Sequence, residues 1–409
     1  MSVSLSFYAL RARTSVMGEA SATGVFLQSI IDAFRQASTS LKVEIRWLDP
    51  AESTGGRVRG WISALRWVAR ERKRILRDQA DILFLVYPKL PIMSHSGHPF
   101  FLSLTERTLR SVLARHGTTG QRLVVLVEDL PLEMAKAREA VGEPAADLDM
   151  DRIRAIESLL LTNAHLLVVP SGFVEPLRVA HGLDEERVRT FRRNVYPSDA
   201  VGTTNGAGVP NAAGTIDSTR GLESLPDVER GAVDFFYSGS VEPWLASDFK
   251  RVVEVLASVP EARLHVCGPG EEEVRAWASE VGAANVTHYG ILDRPTHDWL
   301  ARQCQIGLIL YPAENPYFRI TPTMKYTAYL ANGLAVLSTD LAAVADNVRL
   351  DGVGRALPME ELILELNRWA RDPEAWAGYK AKAEVEAEVV RSGEEMRGWI
   401  AELAREGDS

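Results

Sequence analysis

Short apolar runs alternate with longer stretches of helical periodicity through the first half of the chain. The apolar runs cover residues 3–10, 42–48, 81–87, 122–127 and 165–170. Between them, apolar positions recur with a helical period in residues 24–36, 101–115 and 151–163. Buried strands that alternate with helices predict a parallel sheet, and functional sites of such sheets lie beyond the carboxyl ends of the strands.

The pattern changes at residues 198–230, which are rich in Gly, Ala, Thr and Asn and have no apolar period. We interpret them as a flexible linker or loop. A second series of apolar runs follows at residues 233–237, 264–267, 286–289, 306–311 and 335–338. The sequence thus predicts an N-terminal Rossmann-like domain over 1–197, the linker, and a C-terminal Rossmann-like domain over 231–409. The last helices of 231–409 are candidates for packing back on the N-terminal domain.

Composition narrows the class of protein. The chain has 409 residues, of which 46% are hydrophobic and 25% charged, as expected for two globular domains. Its net charge of −9 does not favour wholesale nucleic-acid binding. Two cysteines, Cys267 and Cys304, build neither a disulfide framework nor a metal cluster, which favours a reducing cytoplasm. No secretory signal and no transmembrane helix are expected from the sequence.

The most specific pattern is residues 311–339, YPAENPYFRITPTMKYTAYLANGLAVLST. Here Tyr311 ends an apolar strand, and a helix that opens around Pro322 carries Met324 and Lys325 in its first turn. A helix N-terminus offers unpaired N–H groups and a positive dipole end, and the lysine adds a full charge. Together they would hold a diphosphate while Tyr311 and Met324 pack on the base or sugar. Spacing alone also fits an ordinary crossover with a solvated lysine.

Two glycine-containing loops follow strands in the same half of the chain. Gly239 and Ser240 follow one strand, and Gly268 and Gly270 follow the next. Glycine allows a backbone to approach a phosphate or a ring closely, although many strand-to-helix turns need glycine for their own geometry. Neither loop is a G-x-G-x-x-G fingerprint and there is no Walker P-loop, which argues against a dehydrogenase or a kinase.

The order of Tyr311, Met324-Lys325, a further tyrosine and Gly-Leu-x-Val resembles the donor-binding segment of GT-B glycosyltransferases. More narrowly, it resembles the bacterial xanthan-type glucuronosyltransferase family, while the rest of the chain agrees mainly in layout. The resemblance implies an α/β GT-B fold, with two Rossmann-like parallel-sheet domains facing a central cleft. It implies that Tyr311, Met324 and Lys325 contact a nucleotide-diphosphate donor and that the two glycine loops line the nucleotide pocket.

The same resemblance assigns further positions. Gly290 and Ile291 would line the base pocket, although structural roles fit them equally well. Many retaining GT-B enzymes carry two glutamates at positions that correspond here to Ile320 and Ala328. Both carboxylates are absent, which favours an inverting mechanism. The lysine and the helix end could neutralise the donor phosphates in place of a metal, so the mechanism is expected to be metal-independent.

An inverting transferase needs one carboxylate to deprotonate the acceptor hydroxyl. The candidate base is Asp129, at the end of the strand over 122–127, because an aspartate at the matching strand end plays this role in the resembled family. Its neighbour Glu128 is the alternative, since a strand end leaves open which side chain enters the cleft. A helix cap or turn aspartate explains Asp129 equally well.

Several other polar residues are weaker candidates. Glu19 lies in the first strand-to-helix loop and could orient an acceptor. The D-x-D spelling in 147–151 precedes a helix, where aspartates cap, so we do not expect a metal site there. His95 and His98 lack a third ligand for zinc. Arg319 could meet a carboxylated sugar.

Residues 57–77 form a basic amphipathic stretch within an acidic protein. At helical spacing, apolar residues that include Ala69 share one face and basic residues the other. Basic residues with tryptophan at the margin suit an anionic bilayer surface, although a helix packed on a core with a solvated basic face is an equally ordinary explanation. The acceptor-side or membrane-side candidates are Trp61, Arg66, Arg70, Lys73 and Arg74.

The sequence therefore favours a transferase that moves a sugar from a nucleotide-diphosphate donor to a glycan or lipid-linked acceptor in bacterial polysaccharide assembly. UDP is the expected nucleotide and glucuronate the sugar hinted at by the resemblance, with no cofactor, metal or nucleic acid required. The expected location is cytoplasmic, peripheral to the inner membrane face. Two alternatives stay open: a nucleotide-sugar epimerase, and a non-catalytic scaffold built on a degenerate GT-B pair.

Overall fold

The structure is a computed structural model of the 409-residue chain. It describes residues 3–10, 30, 41–48, 66, 69–87, 99–140, 149–193, 196, 219–220, 228–241 and 245–406. The chain divides into two compact units. The first unit comprises Met1–Arg192, Asn315–Tyr317 and Glu394–Ser409, and the second comprises Arg193–Glu314 and Phe318–Gly393.

The first unit contains a six-stranded parallel sheet of order β2-β1-β3-β4-β5-β6. The strands are β1 (Val3–Leu10), β2 (Leu41–Leu48), β3 (Ile82–Tyr87), β4 (Arg122–Val127), β5 (Leu166–Pro170) and β6 (Val188–Phe191). All six residues of β3 are buried, and so are the last five of β4, which explains why these runs are continuously apolar.

Helices of the first unit connect these strands. They are α1 (Pro99–Thr119), α2 (Pro131–Ala140), α3 (Met150–Asn163) and α4 (Val174–His181). Single-turn 3₁₀ helices cover Ser171–Phe173 and Glu185–Arg187. The side chain of Asp149 caps α3 by accepting the backbone N–H of Arg152 at 3.1 Å, so the capping role predicted for the D-x-D stretch is confirmed at this residue.

The second unit contains another six-stranded parallel sheet, of order β10-β9-β8-β12-β13-β14. Its strands are β8 (Val233–Ser238), β9 (Ala262–Cys267), β10 (Val286–His288), β12 (Ile306–Ile309), β13 (Ala335–Thr339) and β14 (Gly354–Leu357). Two-residue strands β7 (Thr219–Arg220) and β11 (Ile291–Leu292) pair separately. Counted along the chain, the order is 3-2-1-4-5-6, the arrangement of a doubly wound dinucleotide-binding sheet.

Helices of the second unit cover its sheet. They are α5 (Ala246–Ala257), α6 (Glu271–Glu280), α7 (Arg294–Gln303), α9 (Met324–Ala331), α10 (Ala342–Asp351), α11 (Met359–Arg371) and α12 (Glu374–Ser392). Short α8 (Pro316–Ile320) precedes α9. Aromatic and branched side chains of the strands pack against α5 and α11 in one buried core that includes Phe249 and Trp369.

The final helix, α13 (Glu394–Glu406), belongs to the first unit. Its Trp399 stacks on Phe84 of β3, with ring centroids 6.3 Å apart. Glu402 of α13 pairs with Arg189 of β6, and the backbone N–H of Arg192 donates to Glu395 at 2.7 Å. These contacts bring the C-terminal helix back to the sheet formed by the first half of the chain.

Sequence reasoning missed β6 and β14, because each is a four-residue edge strand with only one buried residue. The bounds of the predicted strands follow the apolar runs closely, with one exception. The prediction that a strand ends at Tyr311 is wrong, because β12 ends at Ile309. Thr339 provides the reason: its hydroxyl accepts the N–H of Tyr311 at 3.1 Å and donates to the Tyr311 carbonyl at 2.8 Å. The Thr339 side chain thus takes the place of backbone hydrogen bonds between strands, and Tyr311 lies outside the sheet. The loop predicted after Tyr311 contains α8, and the predicted linker contains β7.

Several predicted features lie outside the described residues. They are Glu19, Trp61, His95, His98, Asp147 and all but one residue of the helix expected over 24–36. Within the described part of the chain, no helix has both the length and the apolar character needed to cross a membrane.

Candidate functional site

The strand order of the second sheet reverses between β8 and β12, which pair in parallel. Strands β9 and β10 continue from β8 on one side, whereas β12, β13 and β14 follow on the other. Within β8, Phe235 and Phe236 pair with β12, although β8 itself extends to Ser238. Ligands of doubly wound sheets bind at this reversal, beyond the carboxyl ends of the strands, because the flanking loops diverge there.

Tyr329 of α9 fills the gap between the two diverging strands. Its hydroxyl accepts the N–H of Ser238 at 3.0 Å and donates to the carbonyl of Leu308 at 3.0 Å. The ring lies against Gly307 so closely that a Cβ there would meet its Cδ2 at 2.4 Å. The side chain therefore replaces the hydrogen bonds that β8 and β12 no longer make to each other. Sequence reasoning assigned Tyr329 no role, although glycine inside a strand signals such a close approach.

We expect Tyr329→Phe to destabilise the second unit while preserving the ring packing. Each buried backbone group left without a partner costs about 1–3 kcal/mol. Urea unfolding would measure the loss of free energy. Tyr379→Phe is the matched control, since Tyr379 stacks on Trp369 at 5.6 Å and its ring would stay in place. Equal stability of the two variants would contradict the bridging role.

Lys325 places its ammonium at the same reversal point. Thr323 caps α9 by accepting the N–H of Lys325 at 3.2 Å. The Lys325 Nζ donates to the Tyr311 hydroxyl at 2.7 Å and lies 5.5 Å from the centroid of the Tyr237 ring. A Cβ at Gly239 would come within 2.7 Å of that Nζ. The cation is therefore held between two phenol rings and the glycine that follows β8.

Electrostatics keep this lysine charged. Burial lowers the pKa of Lys325, but the Tyr311 and Tyr237 hydroxyls outweigh burial and raise it to about 12. For Tyr311, burial raises the pKa, but the ammonium of Lys325 outweighs it and the net change is downward. Near pH 7 the site therefore presents a protonated lysine, which is a suitable arrangement for an anion.

The glycine loops predicted from the sequence lie side by side. The backbone N–H of Gly239 donates to the carbonyl of Cys267 at 2.9 Å. The N–H of Gly268 donates to the carbonyl of Gly290 at 2.8 Å. Gly268 has a φ of +127°, and a Cβ on it would lie 2.4 Å from the Gly239 carbonyl oxygen. Both the conformation and the space at Gly268 thus require glycine. The loops after β8, β9 and β10 form one continuous edge next to Lys325.

The remaining predicted donor residues surround this edge. The Ser240 carbonyl accepts the Tyr237 hydroxyl at 3.0 Å, and Gly270 precedes α6 with a φ of +105°. Met324 begins α9 and is half-buried. Ile291 pairs with Thr219 in the small β7–β11 sheet.

A buried polar network, which sequence reasoning missed, lies behind the β8 loop. His297 of α7 contacts the Ser238 hydroxyl through Nε2 at 2.8 Å and the carboxylate of Asp298 through Nδ1 at 3.0 Å. Asp298 also accepts from Tyr196 and from Asn332. Burial lowers the pKa of His297, but Cys267 and Asp298 outweigh it and raise the pKa to about 10. Nothing in the local sequence around His297 distinguishes it from an ordinary helical histidine.

In the first unit, Asp129 and Glu128 follow β4, and both are half-buried. The N–H of Glu128 continues the ladder by donating to the Tyr87 carbonyl at 2.8 Å. Asp129 Oδ1 accepts the hydroxyl of Tyr317 at 2.7 Å, and Tyr317 packs near Phe173. The Tyr317 side chain, which is distant in sequence, therefore holds the Asp129 carboxylate in a defined position.

The basic stretch is described in part, with residues 69–76 helical. Arg66, Arg70 and Lys73 are exposed, and Arg74 is half-buried. The prediction that Ala69 lies on the apolar face is wrong, because Ala69 is exposed. The inward side carries Ile75, which the helical spacing also places on the apolar face, together with Glu71 and Asp78. Glu71 pairs with Arg70 and Arg74 at 3.2 and 3.6 Å. The apolar side of this segment is therefore offset from the predicted one.

The described residues contain no group of three or more His, Cys, Asp or Glu side chains placed to hold a metal ion. Asp151 of the D-x-D stretch is largely exposed and pairs with Arg154 at 3.2 Å.

No protein-family model matches the chain, and no curated protein matches it in sequence. Solved structures, in contrast, match it over nearly its full length. Sucrose-phosphate synthase from Thermosynechococcus elongatus has 12% identity and a TM-score of 0.62, covering 99% of this chain and 98% of that one. HepE from Anabaena, in complex with UDP, has 13% identity and a TM-score of 0.58, covering 99% and 100%.

A third structure with the same architecture is WaaG, a glycosyltransferase involved in lipopolysaccharide biosynthesis. It has 14% identity and a TM-score of 0.54, covering 98% of this chain and 99% of WaaG. Together with the two parallel-sheet units, these similarities show that the chain has the GT-B fold of glycosyltransferases. They extend over whole chains and do not single out the xanthan-type subfamily.

Proposed function

We propose that the protein is a glycosyltransferase whose donor is a nucleotide diphosphate-sugar bound by the second unit. The observation that carries the proposal is the position of Lys325 at the β8–β12 reversal, against Gly239 and between two phenols. A protonated lysine, a helix N-terminus and glycine loops at one sheet edge form a site for a dianionic diphosphate. Anabaena HepE, of the same fold, has been solved with UDP and with UDP-glucose, which supports a uridine donor.

The donor diphosphate would be neutralised by protein groups. Lys325 supplies the full charge, and the first turn of α9 adds the partial charge of its N–H groups. Tyr311 would face the sugar or base, because Thr339 holds its backbone outside the sheet. This arrangement favours a metal-independent reaction. In the GT-B layout Gly290 and Ile291 would lie near the base.

We propose further that the reaction inverts the anomeric centre and uses Asp129 as general base. The hydrogen bond from Tyr317 orients its carboxylate. The acceptor hydroxyl would donate its proton to Asp129 as its oxygen attacks the anomeric carbon and the nucleotide diphosphate leaves. Glu128 is the alternative base.

The acceptor proposed is a glycan or a lipid-linked glycan of bacterial polysaccharide assembly. Arg66, Arg70 and Lys73 are exposed and would face an anionic bilayer that carries such an acceptor. Co-sedimentation with phosphatidylserine vesicles tests this part. Binding should fall when these three residues become glutamine, and unchanged binding would contradict a membrane role.

The function is tested first by ligand-induced thermal stabilisation with UDP-, GDP-, dTDP- and CMP-sugars, UDP-glucuronate included, in the presence of EDTA. A ligand that binds only the folded protein raises the melting temperature, by an amount equivalent to about 2.7 kcal/mol at one hundred times its Kd. We expect a shift for the UDP family. No shift with any of these donors would overturn the proposed donor site and would favour a non-catalytic scaffold.

A further inference from the structure

We infer that Asp298, His297 and Ser238 form a hydrogen-bond relay that turns the Ser238 hydroxyl proton toward the donor diphosphate. The inference rests on the proposed function and adds a positioning device to its donor site. It starts from the geometry of three side chains that join in one line: Asp298 Oδ1 to His297 Nδ1 at 3.0 Å, and His297 Nε2 to Ser238 Oγ at 2.8 Å.

At its end of the relay, the Asp298 carboxylate only accepts hydrogen bonds. Its Oδ1 accepts from the hydroxyl of Tyr196 and from the amide nitrogen of Asn332, in addition to facing His297 Nδ1. Arg294 lies near Oδ2 at 3.6 Å. A carboxylate surrounded by donors is an acceptor only, so His297 Nδ1 must carry a proton in either charge state of the ring. The two charge states of the ring therefore differ only in whether Nε2 carries a proton.

The proton at Nε2 decides where the hydroxyl proton of Ser238 points. When the ring is an imidazolium, Nε2–H donates to Ser238 Oγ, and the serine's own proton must point to another acceptor. When the ring is neutral, Nε2 is an acceptor, so the serine donates back to it. In the first state Ser238 offers a donor to a ligand, and in the second it offers lone pairs, which repel a phosphate oxygen.

Position makes this hydroxyl relevant to the donor. Ser238 is the last residue of β8, is half-buried, and precedes the glycine against which Lys325 lies. Its N–H is already used by Tyr329, so the hydroxyl is its remaining donor group. Ser238 and Lys325 would then contact the same diphosphate from adjacent points of the sheet edge.

The surroundings of His297 favour the imidazolium. Phe236 packs edge-on against its ring at 5.2 Å. Among the described residues, the titratable groups that act on His297 are Asp298 on its own helix and Cys267 at the end of β9, which also hydrogen-bonds the ring. They raise its pKa to about 10 against the opposing effect of burial. The folded pKa lies above the ordinary value near 6.5, so the donating state is complete at neutral pH and disappears as pH rises through about 10. Binding should weaken over the same range.

The test is a double-mutant cycle on UDP affinity, measured by isothermal titration calorimetry at pH 7.5 with Ser238→Ala, His297→Gln and the double variant. We expect each single variant to weaken binding about tenfold, and the double variant to lose no more than one of them, because both changes break one relay. Ser238→Thr keeps a hydroxyl and should retain wild-type affinity. Ser238→Ala, at a half-buried position, provides the readout if His297→Gln folds poorly.

A pH series from 7.5 to about 11, which passes through the His297 pKa of about 10, separates the relay from the other titrating groups of the site. Tyr311 and Lys325 also titrate at high pH, so the informative quantity is the ratio of wild-type to Ser238→Ala affinity. We expect this ratio to fall toward one as pH rises. A pH-independent ratio, additive losses in the double variant, or full affinity in Ser238→Ala would each overturn the relay alone. Absence of UDP binding by the wild type would overturn the proposed function together with it.

Discussion

Replacing Asp129 by asparagine should lower the rate of sugar transfer by about 10²- to 10⁴-fold, the usual contribution of a positioned general base. The amide keeps the size of the carboxylate and can still accept the hydroxyl of Tyr317, which now lies 2.7 Å from Oδ1. It cannot take a proton from the acceptor hydroxyl. Because Lys325 and the glycine loops are unchanged, UDP affinity should stay at the wild-type value.

The measurement is initial-rate transfer from the donor found in the nucleotide panel, with UDP binding measured on the same preparation. Asp151→Asn is the matched control, since Asp151 is an exposed carboxylate paired with Arg154 at 3.2 Å. Glu128→Gln tests the alternative base. Full transfer by Asp129→Asn together with loss of transfer in Glu128→Gln would move the role to Glu128.

Replacing Lys325 by alanine should weaken UDP binding by about 10- to 150-fold, because a hydrogen bond to a charged group contributes about 1.5–3 kcal/mol. The variant removes the ammonium that lies between Tyr311 and Tyr237, and no other cation is placed between these two rings among the described contacts. Lys325→Arg should recover only part of the affinity, because Gly239 leaves little room beside the Nζ.

Titration calorimetry with UDP measures this effect, and melting temperature shows whether the fold is kept. Lys250→Ala is the control: it also removes a lysine from the second unit, but one whose Nζ pairs with Glu280 at 2.7 Å. An unchanged Kd in Lys325→Ala would remove the basis of the proposed donor site. A loss of equal size in Lys250→Ala would mean that the effect is one of net charge.

The inner strands and most helices could be predicted because their signals are local, whereas the half-buried edge strands β6 and β14 could not. Continuous apolar runs such as 82–87 are buried on both faces of a parallel sheet, and the bounds of 122–127 were predicted to the residue. The helix that carries Lys325 is predicted to open around Pro322 and to stop at Asn332-Gly333, and it spans Met324–Ala331 with Asn332 as its C-cap. Fold class followed from the alternation of these elements, which is a property of chain order.

Residues that act through distant partners could not be predicted. Thr339 ends a neighbouring strand, yet its hydroxyl decides where β12 stops and how Tyr311 is released. Tyr329 and His297 reach Ser238 from two different helices, 91 and 59 residues along the chain. Periodicity records which face of an element is apolar, but it does not record which polar atom on another element a side chain will meet.

The sequence by itself determined the two sets of alternating strands and helices, the glycines after β8 and β9, and the lysine at the start of α9. These features depend on local periodicity, helix capping and backbone conformation, which neighbouring residues specify. The tertiary structure alone decided that the strand order of the second sheet reverses between β8 and β12, so that Lys325, Tyr311 and Gly239 meet at one edge with Ser238 linked to His297. Strand order and side-chain hydrogen bonds of long sequence separation depend on the packing of the whole domain, since a buried polar group must find its partner wherever the fold supplies one.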